Sequence, residues 1–257
     1  MKVATWNVNS IRTRRDHVLA FLDHATPDVL ARQETKATVD QFPAQAFADA
    51  GYGAAVSGQK TYNGVAFLYR NGLEPAWVTR GFPDDEDDAP ARLIAARFGP
   101  LRLINVYLPN GSEVGSEKFD YKLDWMRRLR AHAEDLLRRE QPVVLGGDYN
   151  CAPSDDDVYD PERFAEDALC RPETRRRFRA LQYRGMTEAW RALHGERHVY
   201  SYWDYGAAFH NDDGLRIDHF LLSPQAADRL ESCTIDTTPR AWERASDHTP
   251  VVCTLTP

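Results

Sequence analysis

The stretch VVLGGDYN (143–150) joins a short apolar run to two glycines, and then to an aspartate and an asparagine two positions apart. The apolar run predicts a buried strand, and side chains two residues apart on a strand point to the same face. Asp148 and Asn150 are therefore expected to aim at one point just beyond the strand, where Gly146 and Gly147 would let backbone or a ligand come close. A polar turn after a strand would explain this stretch equally well.

The 257 residues suffice for one large globular domain, and we expect a single domain over 1–257. With 42% hydrophobic and 28% charged residues, the composition is that of an ordinary soluble protein. No apolar run approaches the ~20 residues of a membrane span, and the N-terminal run is too short for a secretory signal. Four scattered cysteines without a CxxC pair favour a reduced chain over a zinc site. We therefore expect a cytoplasmic protein with no membrane partner.

The formal net charge of −7 at first disfavours a polyanionic partner, but the charge is unevenly distributed. The segment DDEDD at 84–88 supplies five negative charges, whereas arginines cluster at 12–15, 127–130 and 175–179. Local potential governs binding more than the global sum does. The arginine clusters therefore permit nucleic-acid binding, although a cluster of charges is more often a solvated face.

Strand-like and helix-like runs alternate along the chain. The turns RNG (70–72) and GP (99–100) predict hairpins between the strands that flank them. Many strands with interspersed helices predict an α/β fold in which two mixed sheets pack together and helices flank them. Strands are predicted at 2–8, 28–34, 64–69, 73–79, 91–98, 101–107, 142–147, 216–222, 231–236 and 250–255, and helices at 14–25, 118–139, from 172 and at 187–194.

Polar residues recur at or near the predicted strand ends. Taken singly they have ordinary explanations, such as a surface charge for Glu34 or a core position for His248. Asp218 is harder to explain, because it lies inside an apolar strand and an unpaired buried carboxylate costs several kcal/mol. A histidine is a natural partner for it. The full set is Asn7, Glu34, Tyr107, Asp148, Asn150, Asp218, Asp247 and His248.

This set of side chains indicates a particular chemistry. Carboxylate and amide oxygens suit Mg²⁺, and amides together with a cationic histidine suit phosphate oxygens. An aspartate beside a histidine keeps the imidazole oriented and protonated. Together these groups predict metal-assisted hydrolysis of a phosphodiester by an activated water.

In its motifs the chain resembles the exonuclease III family of abasic-site endonucleases, within the wider endonuclease/exonuclease/phosphatase fold shared with DNase I. The resemblance covers essentially the whole chain, and it implies a four-layer α/β sandwich of the DNase I type. The stretches QETK (33–36), NVYLPNG (105–111), YWDYG (202–206) and GLRID (214–218), in this order, are specific to the abasic-site branch. The matching stretches are WNVNSIRTR (6–14), QETK (33–36), YNGVAF (62–67), NVYLPNG (105–111), GDYN (147–150), SDHTPV (246–251), YWDYG (202–206) and GLRID (214–218).

The resemblance also implies roles for individual residues. Glu34 matches the principal Mg²⁺ carboxylate, Asp148 the residue that orients the attacking water, and Asp218 the partner of His248. The aromatic segment 200–205 matches the wall of an abasic-site pocket, with a core position as the alternative for its rings. The implied catalytic residues are Tyr107, Asp148, Asn150, Asp218 and His248; the metal-site residues are Asn7, Glu34, Asp148, Asn150, Asp247 and His248; and the DNA contacts are Arg12, Tyr202, Trp203 and Arg216.

The function implied by this resemblance is a Mg²⁺-dependent DNA repair nuclease, with Mn²⁺ as a substitute, that acts as a monomer on duplex DNA. It would cut 5′ to abasic sites, trim 3′ ends and degrade DNA 3′→5′, with the arginine clusters facing DNA and segment 84–88 pointing away. The alternatives are a related phosphodiesterase that acts on RNA or a small phosphoester, or a catalytically weak DNA-binding paralogue. The chain departs from the family at Arg32, Tyr149, Tyr202 and Gly206.

Overall fold

The computed structural model describes residues 1–86, 89–195 and 198–257. Within these ranges the chain forms fourteen strands, seven α-helices and two short 3₁₀ turns. The strands are β1 (Lys2–Asn7), β2 (Val29–Gln33), β3 (Tyr52–Ser57), β4 (Val65–Arg70), β5 (Val78–Arg80), β6 (Leu93–Phe98), β7 (Leu101–Tyr107), β8 (Val143–Asp148), β9 (Thr187–Glu188), β10 (Tyr202–Trp203), β11 (Gly214–Leu215), β12 (Asp218–Leu222), β13 (Leu230–Ile235) and β14 (Val251–Leu255). The helices are α1 (Arg15–Ala25), α2 (Ala44–Asp49), α3 (Glu117–Leu137), α4 (Pro172–Tyr183), α5 (Ala189–His194), α6 (Ala208–Asn211) and α7 (Pro224–Ala227).

Twelve of the strands in the described ranges form two mixed sheets of six strands each. The first sheet has the order β13-β14-β1-β2-β4-β3, and the second has the order β5-β6-β7-β8-β12-β9. Each contains one parallel pair, β1 with β2 and β7 with β8, among antiparallel neighbours. The carboxyl ends of these two parallel pairs meet at one edge of the molecule, and the polar strand ends lie there.

Three apolar cores separate four layers. The central core lies between the sheets and contains Phe67 from the first sheet and Phe220 from the second. Helices α1 and α2 cover the outer face of the first sheet, and α3 and α4 cover the outer face of the second. The four-layer α/β sandwich predicted from the sequence is therefore confirmed. In the described ranges no helix combines the length and the apolar character that crossing a membrane requires.

Local sequence explains where three of the helices begin or end. Ser116 caps α3, because its Oγ accepts a hydrogen bond from the backbone N of Phe119 at 3.3 Å. Pro172 opens α4 with the backbone angle that the first turn requires. Gly195 ends α5 with a φ of 59°, a conformation that glycine adopts without strain.

The predicted hairpin at RNG is wrong, whereas the one at GP is confirmed. Strands β6 and β7 pair antiparallel across the GP turn. Strand β4 instead pairs with β2 and β3 in the first sheet, while β5 pairs with β6 in the second. The chain turns at Gly72 but then crosses the sandwich, since Ala76 N bonds to Arg97 O of the second sheet. The sequence patterns predicted neither helix α2 nor strand β3. In β3 the GAA run has no β-branched residue, which weakens the strand signal.

The stretch VVLGGDYN (143–150) forms the buried strand β8 and the turn after it, but Asp148 and Asn150 meet in a different way from the predicted one. Asn150 lies beyond the strand with a φ of 43°, and its backbone N donates to Asp148 Oδ1 at 2.8 Å. The two side chains therefore converge through a turn and not through strand alternation. Gly146 and Gly147 admit neighbouring strands, since added Cβ atoms would lie 2.4 Å from the Phe220 ring and 1.9 Å from Val106 O.

Two of the residues at which the chain departs from the family motifs, Tyr149 and Arg32, are buried in the core. Tyr149 lies under α4, where its ring packs edge-on against Phe178 at a centroid distance of 5.4 Å. Arg32 lies in the apolar layer under α1, with its guanidinium 4.8 Å from the centre of the Trp6 ring. In the described part of the chain none of its three side-chain nitrogens has a hydrogen-bond partner. Burial holds the pKa of Arg32 well below its usual value.

Replacing this arginine with an apolar residue should stabilise the fold. We expect Arg32→Met to raise the free energy of unfolding by ~1–4 kcal/mol, because a buried charge with no partner is removed and its volume is kept. Urea denaturation measures this. The control is Arg97→Met, on an exposed position of β6, which should change stability by less than about 0.5 kcal/mol. A loss of stability in Arg32→Met would show that the guanidinium has a partner in solution.

Candidate active site

A polar layer between the sheets forms the floor of the site. Gln33 Nε2 donates to Thr5 Oγ1 at 2.9 Å and to Asn105 Oδ1 at 2.6 Å, which joins the two sheets. The Asn105 amide in turn donates to the backbone oxygens of Arg32 and Ala66. The sequence patterns did not select these residues, although polar side chains at inward positions of apolar strands could have indicated a buried hydrogen-bond network.

Glu34 and Asp148 lie on either side of Asn7. The Asn7 amide nitrogen donates to Glu34 Oε1 and to Asp148 Oδ2, both at 2.9 Å, so one side chain links a carboxylate of each sheet. The second Glu34 oxygen pairs with Lys36 Nζ at 2.8 Å. Asn7 Oδ1 accepts from the backbone N of Asn9, so in this arrangement its oxygen faces the loop after β1.

Asp148 and Asp218 are directly opposite each other on the antiparallel strands β8 and β12. His248, from the loop between β13 and β14 of the other sheet, lies beside both. Its Nδ1 is 2.8 Å from Asp218 Oδ2, and its Nε2 is 3.8 Å from Asp148 Oδ2. All three side chains are buried, and their ligand atoms lie within 4.8 Å of one another. The histidine partner that Asp218 was expected to need is therefore present.

The backbone around His248 is held from several sides. Trp6 Nε1 donates to the carbonyl of His248 at 3.0 Å, and Tyr202 forms an isolated bridge with it. Ser201 Oγ donates to Asp218 Oδ2 at 2.7 Å. These contacts fix both members of the histidine–carboxylate pair, and sequence reasoning had not singled out Ser201 or Trp6.

The electrostatics of the site follow from burial and mutual contact. Burial alone lowers the pKa of His248, but the carboxylates of Asp218 and Asp148 outweigh it and raise the value to about 10. Burial raises the pKa of Asp148, with His248 opposing the shift. For Glu34 the effect of burial is outweighed by hydrogen bonds from Asn7 and Lys36, which lower its pKa. The site therefore holds an imidazolium at neutral pH beside an ionised Glu34.

Tyr107 ends β7 next to Asp148, in register on the parallel strand. Burial raises its pKa, and the nearby Glu34 carboxylate raises it further, so the phenol keeps its proton. The guanidinium of Arg92 lies 4.7 Å from the centre of its ring. Tyr107 therefore offers a hydroxyl group, and not a phenolate, to the site.

A second group of amides surrounds Asn150. Its Nδ2 donates to Leu108 O at 2.9 Å and to Asp148 Oδ2 at 3.3 Å, so both amide hydrogens are used within the protein. Asn110, which sequence reasoning missed, donates to Asn150 Oδ1 at 3.2 Å. The buried Lys122 donates to the backbone oxygens of Asn110 and Asn150 at 2.9 and 2.7 Å. Asn150 thus holds Asp148, while the exposed Asn110 faces outward.

Asp247 lies at the rim of the site. Its Oδ1 accepts from Asn9 Nδ2 at 3.3 Å and from Ser246 Oγ at 3.2 Å. Tyr205 OH accepts from Asn9 at 2.8 Å and from Arg14 at 3.1 Å. This contact ties the loop after β1 to the segment after β10.

A cavity of about 380 Å³ opens beside the catalytic group. Tyr202 is part of its wall, and the centre of its ring lies 4.9 Å from that of His248. Arg163 lines the same cavity and donates to Tyr159 OH at 2.7 Å. The other lining residues are Asn110, Tyr159, Phe164, Asp167, Leu169, Asp204, Tyr205, Ala207, Ala208, Asn211, Asp213 and Leu215.

Trp203 does not line this cavity, in contrast to the prediction. It is 2% exposed, its Nε1 donates to Asp212 Oδ1 at 3.0 Å, and its ring packs edge-on against Phe209. Trp203 therefore supports the wall from behind. Gly206, another residue at which the chain departs from the family motif, lies in a turn with a φ of 86°.

Arg216 is also misassigned as a DNA contact. It is 1% exposed, its Nε donates to Asp157 at 2.8 Å, and its Nη1 donates to Glu188 at 2.9 Å. Two carboxylates neutralise its charge inside the protein, which leaves none of it for DNA. Arg12, in contrast, is exposed on the loop after β1, close to the catalytic edge, and its DNA contact stays a prediction.

Part of the acidic segment contacts an arginine cluster, and its orientation away from DNA stays a prediction. Asp84 and Asp85 pair with Arg128 at 2.8 and 2.6 Å, and this arginine also lies over the Phe82 ring. The cluster at 127–130 is therefore partly neutralised by this loop. Asp87 and Asp88 of the segment lie outside the described residues.

The donor set fits a hard divalent cation. Glu34 is an ionised carboxylate that is 18% exposed at the mouth of the site, and Asp148 faces it across Asn7. In the group formed by Asp148, Asp218 and His248, the imidazole carries a proton between its carboxylates, which makes the histidine a poor metal ligand in that state. The oxygens on the Glu34 side of Asn7 therefore suit such a cation better than the protonated histidine does.

Comparisons with known proteins agree with this geometry. The model of the endonuclease/exonuclease/phosphatase family matches residues 4–248. The chain belongs to this family. Exodeoxyribonuclease III of Haemophilus influenzae is 34% identical over 98% of both chains.

Solved structures show the same likeness. A variant of the 3′ phosphatase NExo from Neisseria, bound to a product DNA hairpin, has a TM-score of 0.96 and 42% identity over 100% of this chain and 99% of that one. An AP endonuclease from Archaeoglobus fulgidus has a TM-score of 0.95 and 35% identity over the whole of both chains. The protein is a phosphodiester hydrolase of the exodeoxyribonuclease III and AP endonuclease type, in a family of metal-dependent nucleases.

Removing one carboxylate should expose the dependence of His248 on its partner. We expect Asp218→Asn to lower the pKa of His248, because the carboxylate that favours the charged form is lost. In the wild type the stabilisation from this charge is present below about pH 6.5 and is lost as the pH rises towards about 10. In the variant this loss should begin at lower pH.

Titration of His248 by NMR, with thermal melts across the same pH range, measures both effects. Asp228→Asn removes an equal charge from an exposed position and should leave the titration unchanged. An unchanged or higher pKa for His248 in Asp218→Asn would rule out the pairing as the source of the shift.

Proposed function

We propose that this protein is a Mg²⁺-dependent DNA repair nuclease that hydrolyses the phosphodiester 5′ to abasic sites in duplex DNA and also removes groups from 3′ ends. The observation that carries the proposal is the buried imidazolium of His248, which two carboxylates hold near Glu34 and which packs against Tyr202 of the cavity wall. A phosphodiester is an anion, and this site offers it a charge-assisted N–H donor at His248 Nε2 together with neutral donors.

The chain's own residues divide the work as follows. Asp148, held by Asn7 and Asn150, accepts a hydrogen bond from the attacking water and orients its oxygen towards phosphorus. His248 donates through Nε2 to a non-bridging phosphate oxygen. Asp218 accepts a hydrogen bond from Nδ1 and so keeps the imidazole protonated on both nitrogens. The neutral hydroxyl of Tyr107 and the amide of Asn110 donate to the same phosphate.

Glu34, with Asp148 across Asn7, would hold Mg²⁺, and Mn²⁺ has the same preference for oxygen ligands. A divalent cation bound there supplies charge neutralisation at the phosphate and at the leaving oxygen. Asn150, Asp247 and His248 stay candidate contributors to this site, as does Asn7. Among these, Asp247 lies at the rim and is partly exposed.

The names of the relatives support one site with two kinds of substrate. The Haemophilus relative is named for exonuclease activity, the Neisseria structure for 3′ phosphatase activity and the Archaeoglobus structure for AP endonuclease activity. Hydrolysis of a phosphate ester next to a position without a base, or at a terminal position, needs the same catalytic groups. We propose duplex DNA as the partner and a monomer as the active form.

Loss of the Glu34 carboxylate tests the metal assignment. We expect Glu34→Gln to lower cleavage of a duplex with one abasic analogue by roughly 100- to 1000-fold, with partial recovery at high Mg²⁺, because several kcal/mol of charge stabilisation is lost. EDTA should abolish cleavage by the wild type. Glu231→Gln, an exposed position on β13, serves as the control. Full cleavage in EDTA would contradict the proposal, and so would cleavage of RNA in preference to DNA.

The cavity wall should govern the choice of substrate. We expect Tyr202→Ala to lower the ratio of abasic-site cleavage to cleavage of undamaged duplex by about 10- to 200-fold, because apolar packing worth ~1–3 kcal/mol is lost. Tyr202→Phe should keep the ratio.

Trp203→Ala provides a matched comparison behind the same wall. It should cost ~3–5 kcal/mol of stability, lower the melting temperature and reduce all activities together. A fallen ratio with a normal melt in Trp203→Ala, and an unchanged ratio in Tyr202→Ala, would reverse the two assignments.

A further inference from the structure

Two of the four cysteines lie on consecutive strands and face each other in the fold. Cys233 on β13 and Cys253 on β14 are directly opposite in the antiparallel register. Both side chains belong to the central core, and the Cys253 thiol lies near enough to that of Cys233 to raise its pKa. No catalytic contact described above involves either of them.

This placement meets the geometric requirement of a disulfide. Directly opposed residues on antiparallel strands have Cα atoms about 4.5–5.5 Å apart. A disulfide needs a Cα separation of about 4.4–6.8 Å, with both Cβ atoms on the same side. The register therefore places the two residues in the range of spacings that a disulfide requires. The other two cysteines, Cys151 and Cys170, lie elsewhere, at the loop that follows β8 and just before α4.

We propose that Cys233 and Cys253 are an oxidisable pair that closes an interstrand disulfide when the protein meets a peroxide. One sulfur attacks the peroxide O–O bond, which breaks and releases one water, and becomes a sulfenic acid. The second sulfur displaces the sulfenic oxygen as a second water and forms the S–S bond. The two thiols thus lose two hydrogens, and hydrogen peroxide is reduced to two waters.

The crosslink would close the hairpin that carries the catalytic histidine. Residues 236–250 connect β13 to β14, and Asp247 and His248 lie in this connection. Strand β13 is at the edge of its sheet, and two of its six residues, Glu231 and Thr234, are exposed. A covalent link between the two strands restricts the opening of this edge and so keeps the histidine loop in place on heating.

The reaction should be slow in the folded state. Cys233 and Cys253 are 1% and 0% exposed, and the thiol–thiol contact together with burial raises the pKa of Cys233 well above its usual value. A peroxide reacts with thiolate, so oxidation requires opening of the edge strand. Low concentrations of urea, which favour that opening, should accelerate it without unfolding the protein.

The test is oxidation of the full chain with hydrogen peroxide, followed by alkylation of the remaining thiols in denaturant. We expect two alkylated thiols instead of four, a mass decrease of about 2 Da for the crosslinked pair, and a non-reduced peptide that joins Cys233 to Cys253. Dithiothreitol should restore four thiols. Alkylation of all four cysteines after oxidation, or a crosslink that involves Cys151 or Cys170, would overturn the proposal.

A functional readout separates the crosslink from other oxidation. Oxidised wild type should lose nuclease activity on heating several-fold more slowly than reduced wild type, with equal activity before heating. Cys233→Ala should show no such difference between oxidised and reduced samples, whereas the double variant Cys151→Ala/Cys170→Ala should keep it. Equal heat inactivation of oxidised and reduced wild type would refute the protective role. The mass map needs no variant, so it stands even if one of these proteins folds poorly.

Discussion

Two carboxylates lie directly opposite each other on neighbouring strands, and a charge from the other sheet makes this arrangement tolerable. Asp148 and Asp218 would repel each other if both were ionised in the buried edge of one sheet. His248 lies beside both and carries the compensating proton. Because the histidine belongs to the first sheet and the carboxylates to the second, the site is complete only when the two sheets are packed together.

The rest of the molecule can be understood as the support for that contact. The central core is apolar through most of its depth and becomes polar at the catalytic edge, where Gln33 and Asn105 connect the sheets. Above this layer, Asn7 links a carboxylate of each sheet. Trp6 and Ser201 then fix the histidine loop and its carboxylate. A stack of hydrogen bonds therefore sets the separation of the two sheets where the chemistry takes place.

Two buried arginines show how little a residue type says about its environment. Arg216 stands in a motif that suggested a DNA contact, yet two carboxylates hold it inside the protein. Arg32 stands on a strand of similar apolar character, and within the described ranges its guanidinium lies over the face of Trp6 without a hydrogen-bond partner. Nothing in the local sequence separates these two cases, because their partners, where they exist, lie tens of residues away.

The sequence by itself determined the alternation of strands and helices, the α/β class and most of the polar side chains that meet at the candidate site, because these follow from local periodicity and from the polar residues at strand ends. Tertiary structure decided which side chains meet. It joined His248 to Asp218, placed Trp203 behind the wall and Tyr202 in it, sent β4 and β5 to different sheets, and set two cysteines face to face. The physical reason is that strand periodicity fixes only the face on which a side chain lies, whereas its neighbours depend on strand order and on the packing of one sheet against the other.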